Sequence, residues 1–215
     1  MLLYAITSRT LLPGTEPERQ AALGELARGW AQGGVDYIQI REKDLAPPDL
    51  LALARRIVTA VREEGLNTLV LVNGPVKIAL EARAHGVHLP SSAPAEAAEE
   101  AMQAFRSAGR QAVVSRSCHS VKEIREAGEV SLILFAPVFE KVGEKLGEKL
   151  SHSGPQAGVG LDALREACRA AHPVPVIALG GITVQNAAAC IAAGVAGVAG
   201  IRLFLGNDWR MLRSI

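Results

Sequence analysis

Two glycine-bearing segments near the carboxyl end of the chain are the residues best suited to hold an anion. Pro175-Val-Ile-Ala-Leu-Gly-Gly-Ile-Thr183 is followed by Gly194-Val-Ala-Gly-Val-Ala-Gly-Ile-Arg202, so an apolar run meets glycine twice. Without a Cβ, backbone amides can approach a phosphate closely, and a helix starting just beyond adds partial positive charge. Gly180, Gly181, Gly200, Ile201 and Arg202 are therefore the candidate phosphate-binding residues. Any one of these glycines could instead relieve crowding at a strand-to-helix turn; two such loops in succession favour the anion.

Ile38-Gln-Ile-Arg-Glu-Lys-Asp44 is a second constellation. Side chains alternate along a strand, so Gln39 and Arg41 share a face. The Arg41 guanidinium offers a planar fork suited to phosphate or carboxylate, and Lys43 a mobile point charge. Glu42 and Asp44 read as surface charges in ordinary salt bridges. Asn73, His88, Ser115 and Ser117 also stand at or near the ends of apolar runs.

Short apolar or β-branched runs alternate along the chain with longer Ala-, Leu-, Glu- and Arg-rich stretches, the pattern of repeated βα units. Strands are expected at 2–7, 36–41, 68–73, 86–89, 112–115, 132–135, 174–179 and 197–200. Helices are expected at 18–32, 48–64, 76–84, 95–108, 121–127, 161–171 and 184–193, with a short one from Leu203. The strands are apolar almost throughout, as in a parallel sheet covered on both faces. Eight units predict a (β/α)8 TIM barrel of the α/β class, one domain over residues 1–215, although a flavodoxin-like open sheet uses the same alternation. A barrel gathers functional groups where strands end and loops begin, and the polar residues above fall there.

Composition narrows the function. Of 215 residues, 49% are hydrophobic, enough for one substantial core. With 23 Lys+Arg against 22 Asp+Glu, no net field holds the chain on a nucleic-acid backbone or an anionic membrane, and neither partner is expected. Cys118, Cys168 and Cys190 lack C-x-x-C spacing and read as reduced thiols of a cytoplasmic protein. No run approaches the roughly 20 apolar residues of a membrane span, and the apolar start lacks a signal peptide's basic flank. A homo-oligomer is compatible with all of this.

Tyr4-Ala-Ile-Thr7, Tyr37-Ile-Gln-Ile-Arg-Glu-Lys43, Val72-Asn73, Gly86-Val-His-Leu89, Ser117-Cys-His-Ser120, Phe135-Ala-Pro-Val-Phe139 and Ile177-Ala-Leu-Gly-Gly-Ile182 follow one another across nearly the whole chain. In that order and spacing they resemble the thiamine phosphate synthase and TenI superfamily. The resemblance implies a barrel that binds a small phosphorylated thiazole or pyrimidine in thiamine biosynthesis. It also implies Gln39, Arg41, Lys43, Asn73 and Ser117 as substrate-binding residues.

The superfamily divides, and the chain departs from the synthase pattern. A synthase joins a pyrimidine diphosphate to a thiazole phosphate with magnesium, held by aspartates after the strand-three Asn and shortly after the His-Leu of strand four. Those positions are Gly74 and Ala93 here. Magnesium usually takes one or two carboxylates plus substrate phosphates, so no metal or other cofactor is expected unless the synthase reading holds. The spacing of Asp44 and Glu140 does not recommend them as substitutes. The TenI branch instead shifts a proton to aromatise a thiazole carboxylate phosphate, which needs an acid/base and no magnesium. His119 matches the family's His just after strand five; an ordinary imidazole, with a pKa of ~6.5, both takes and gives protons near neutrality. His88 matches a position common to both branches and reads as structural.

Residues 140–154 form a polar, glycine-rich stretch, long for a βα loop, that reads as a binding loop or a solvated insertion. Lys141, Lys145 and Lys149 are candidates for the diphosphate-binding Lys that synthases carry there. The leading functional expectation is an isomerase of the thiazole tautomerase type. Its alternatives are a magnesium-dependent thiamine phosphate synthase, a transferase, and a non-catalytic phosphate-ligand binder or regulator.

Overall fold

A computed structural model of the chain describes residues 1–64, 67–140 and 157–215. Eight parallel strands run in order: β1 (Leu2–Ile6), β2 (Tyr37–Ile40), β3 (Leu69–Val72), β4 (Gly86–Leu89), β5 (Val113–Cys118), β6 (Leu132–Phe135), β7 (Val176–Ala178) and β8 (Gly197–Gly200). Each pairs with the next, and β8 pairs with β1 from Leu2↔Gly197 to Ala5↔Gly200, so the sheet closes. Closure makes this a (β/α)8 TIM barrel and rules out the open sheet. The first seven strands lead into α1 (Glu16–Gln32), α2 (Pro47–Glu63), α3 (Val76–Glu81), α4 (Ala97–Ser107), α5 (Val121–Arg125), α6 (Gly160–Ala171) and α7 (Val184–Ala192). After β8 the chain forms 3-10 turns at Arg202–Phe204 and Asp208–Ser214, where the sequence suggested one short helix. Among the described residues no helix is long and apolar enough to cross a membrane.

The period-two alternation of strands builds two cores. Tyr4, Ile6, Leu71, Leu134, Ile177 and Ala199 fill the barrel interior. Their strand neighbours Leu3, Ala5, Val70, Val72, Ile133 and Val198 face outward and pack with the buried stripes of the helices, such as Leu53, Ile57 and Val61 of α2. Gln39, Ser115 and Ser117 share the parity of the inward-facing Tyr37 and Val113, so alternation delivers them to the interior.

Several boundaries differ from expectation, and three of them have clear local reasons. β5 continues to Cys118 because Ser117 and Cys118 pair with Leu134 and Phe135, and its polar residues find partners inside the protein. β7 begins late because the Val174 amide donates to the Ala171 carbonyl, 2.8 Å away, closing a turn. α1 begins at Glu16 because the Glu18 carboxylate accepts from both the amide and the hydroxyl of Thr15, at 2.7 and 2.8 Å.

Candidate functional site

A line of hydrogen bonds crosses the interior beneath the carboxyl ends of β4 and β5. Tyr4 Oη lies 3.0 Å from Ser115 Oγ, Ser115 Oγ lies 2.9 Å from His88 Nδ1, and His88 Nε2 lies 2.9 Å from Ser117 Oγ. Burial, with the positive charges of Arg41 and Lys43 nearby, pushes the His88 imidazole down to about 3, so the ring is neutral. Burial also pushes the Tyr4 phenol far up. Both His88 nitrogens are engaged, as suits a structural residue.

Gln39 is 1% exposed, and its Oε1 meets no donor among the described residues. A buried amide oxygen without a partner costs about 1–3 kcal/mol, which a ligand N–H or O–H would recover. Arg41 is half-buried and Lys43 exposed, both just beyond the carboxyl end of β2. The Arg41 amide donates to Thr7 Oγ1 at 2.9 Å. Asn73 is half-buried, tied through its amide to the Ile40 carbonyl at 2.9 Å.

Glu42 corrects the reading of a surface charge: it is 3% exposed. Its carboxylate accepts from Thr7 Oγ1 at 2.6 Å, from the Arg9 amide at 3.1 and 3.2 Å, and from the Arg9 guanidinium at 3.1 Å. Arg9 also donates to both oxygens of Asp44 at 2.7 Å and to Glu16 at 2.6 Å. The Arg9 bond holds the Asp44 carboxyl below the usual carboxylate range. Asp44, exposed as expected, is thus occupied by Arg9. Sequence reasoning passed over Thr7 and Arg9.

His119 follows β5 and is exposed. Its Nδ1 lies 2.6 Å from the Ala136 carbonyl oxygen, which can only accept. In the neutral ring the proton therefore sits on Nδ1, and Nε2 keeps its lone pair. The His119 amide donates to Glu123 Oε2 at 2.8 Å, and Ser120 caps α5 by accepting from the Glu123 amide. The base of the imidazole is thereby anchored.

Across the mouth, Gly180 and Gly181 adopt φ of +95° and +65°, where a side chain is strained. A Cβ on Gly180 would lie 2.7 Å from Pro137 Cα, and one on Gly181 would lie 2.7 Å from the Glu140 carbonyl oxygen. A Cβ on Gly200 would lie 2.8 Å from Leu203 Cβ. Crowding thus accounts for all three glycines. It leaves amides over: those of Gly181, Ile201 and Arg202 have no backbone or side-chain acceptor among the described residues. Ile201 packs against the barrel interior and Arg202 is exposed.

A family model described as "Thiamine monophosphate synthase" matches residues 3–204. The chain belongs to that family. The thiamine-phosphate synthase of Methanoculleus marisnigri is 35% identical over 209 residues, covering 95% of this chain and 88% of that protein. The thiamine-phosphate synthase of Moorella thermoacetica is 34% identical over 183 residues, covering 85% and 80% respectively. Among solved structures, the thiamine phosphate pyrophosphorylase from Pyrococcus furiosus superposes with a TM-score of 0.74 at 26% identity, over 97% of this chain and 90% of that one.

The two positions that the sequence resemblance assigns to magnesium carry Gly74 and Ala93. Gly74 opens the β3–α3 loop with Leu50 Cδ2 3.1 Å from where a Cβ would stand. The Ala93 loop is held by Arg116, a buried strand residue not foreseen from sequence, whose guanidinium donates to the carbonyls of Ser91, Ala93, Pro94 and Ala127. Neither position offers an oxygen side chain, and among the described residues no three His, Cys, Asp or Glu converge as metal ligands. Lys141, Lys145 and Lys149 lie outside the described residues.

Proposed function

We propose that this family member is a metal-independent isomerase of the TenI type, a cytoplasmic thiazole tautomerase that moves a proton on a thiazole carboxylate phosphate. The observation supporting it most is the anchored His119, with Nδ1–H on the Ala136 carbonyl and Nε2 unpaired among the described residues, in a barrel mouth where Gly74 and Ala93 supply no carboxylate. The amides of Gly181, Ile201 and Arg202 receive the phosphate, with the Arg202 guanidinium and the Gly180 and Gly200 turns beside them. Gln39, Arg41, Lys43, Asn73 and Ser117 surround the ring and its carboxylate. His119 Nε2 takes the proton, and the resulting imidazolium returns one to a second ligand atom. Such positioned acid/base transfer typically contributes about 10²- to 10⁴-fold.

A second reading, a thiamine phosphate synthase, is favoured by the names of the relatives, 30% to 37% identical. It is also favoured by Gln39, Arg41, Asn73 and Ser117, which match the family's pyrimidine side. The deciding assay gives purified protein each substrate set, with magnesium and with chelator. Tautomerisation indifferent to chelator, without thiamine phosphate formation, is expected. Magnesium-dependent thiamine phosphate formation at an ordinary enzymatic rate overturns the proposal, and ligand binding without either turnover marks a non-catalytic binder. Gly74→Asp with Ala93→Asp is expected to raise magnesium affinity, read by calorimetry, once Leu50 yields a few tenths of an ångström.

A further inference from the structure

The line Tyr4, Ser115, His88, Ser117 has a direction, fixed at its sealed end. Tyr4 is fully buried, and its hydroxyl has Ser115 Oγ as partner among the described residues. Were Ser115 to donate to Tyr4, the phenolic hydrogen would be buried without an acceptor, which native interiors rarely tolerate. Tyr4 therefore donates to Ser115. Ser115 then turns its own hydrogen to His88 Nδ1, 2.9 Å away, which must be the unprotonated nitrogen.

The ring has one proton to place. His88 is faced by Tyr4 through Ser115 and by the cations Arg41 and Lys43 from the end of β2, and among the described residues no carboxylate acts on it; burial and those cations keep it neutral. With Nδ1 accepting, the proton sits on Nε2 and is donated to Ser117 Oγ at 2.9 Å. Ser117 is the open end of the line, half-buried beside the mouth. Its oxygen accepts from His88, so its own hydrogen is left to point outward.

We infer that Tyr4, Ser115 and His88 form a one-way hydrogen-bond relay that fixes His88 as the Nε2–H tautomer and makes Ser117 a hydrogen donor to the ligand. The ligand atom that meets Ser117 is an acceptor, a carboxylate or phosphoryl oxygen or an unprotonated ring nitrogen. Tyr4 and His88 are positioning residues: they touch no ligand and set what Ser117 can offer. The choice among acceptors rests on the function proposed above, whereas the direction of the relay does not.

The relay is read directly by long-range proton–nitrogen correlation spectra of protein carrying ¹⁵N-histidine, with the His88→Gln spectrum assigning the ring. Wild type is expected to show a single neutral Nε2–H tautomer from pH 5.5 to 8. Ser117→Ala should keep that tautomer, because the direction is set at the Tyr4 end. Tyr4→Phe, a change of one buried oxygen, should admit the Nδ1–H tautomer. An Nδ1–H or charged His88 in wild type overturns the relay even if every variant fails to fold. A tautomer change in Ser117→Ala, or none in Tyr4→Phe, overturns its direction. None of these readings depends on turnover, so the relay can fail while the isomerase proposal stands, and the reverse.

Discussion

The β1–β2 corner of the barrel mouth and the β4–β5 corner are both rich in polar side chains, and they differ in how much hydrogen-bonding capacity is left over. At the first, the Arg9 guanidinium is shared among Glu16, Glu42 and Asp44, while Glu42 also takes Thr7 and the Arg9 amide. At the second, among the described residues, the Ser117 hydroxyl and His119 Nε2 each keep a free valence; Gln39 Oε1, on β2 but inside the barrel, is likewise unpartnered. A saturated cluster holds a shape; an unsaturated one can hold a ligand. Charge density alone points to the first corner.

The largest expected effect breaks the saturated corner. Glu42→Ala leaves the buried Arg9 short of its enclosed partner and should lower unfolding free energy by about 3–5 kcal/mol in denaturant titration. His119→Ala, at an exposed position, should stay within about 0.5 kcal/mol. Similar losses for the two variants would abolish the distinction between the corners. Next in size, Gly181→Ala forces a Cβ into a left-handed backbone and against the Glu140 carbonyl. It should cost about 1–3 kcal/mol by thermal unfolding.

The smallest of these effects depends on pH through His88. An unfolded histidine takes up a proton near pH ~6.5, whereas the folded ring refuses it down to about 3. Below the unfolded value the unfolded chain thus binds more protons, so stability is full above about pH 6.5 and falls as pH drops toward 3. The slope from this one group is about 1.4 kcal/mol per pH unit, which makes the loss at pH 5.5 about that size. His85, shifted the same way chiefly by burial, adds in the same sense. His88→Gln should flatten the stability curve between pH 6.5 and 4.5, and an unaltered curve would mean that the ring is not held neutral.

The barrel was legible because eight apolar runs alternate with eight helical or turn-forming stretches, and Gln39 was legible as interior because alternation is local. Partners far apart in sequence were not. Glu42 sits in a run of charges that looks solvated, and the Arg9 that buries it lies 33 residues earlier. Tyr4 and Ser115 are 111 residues apart, so nothing in either segment announces their bond. Arg116 was hidden differently: a charge in mid-strand satisfied by backbone carbonyls has no acidic partner to betray it. The Gly180-Gly181 pair was read for its amides, and its left-handed backbone shows that packing against the β6 loop is the first reason for glycine there.

The claim that the unsaturated corner does the chemistry rests on His119. His119→Asn keeps a polar side chain of moderate size at an exposed position but cannot shuttle a proton, so the variant should fold as wild type does. The decisive measurement is its turnover of thiazole carboxylate phosphate beside its affinity for the same ligand. Turnover lowered about 10²- to 10⁴-fold with affinity nearly intact is the predicted result. A folded His119→Asn protein that isomerises the ligand at the wild-type rate would contradict it.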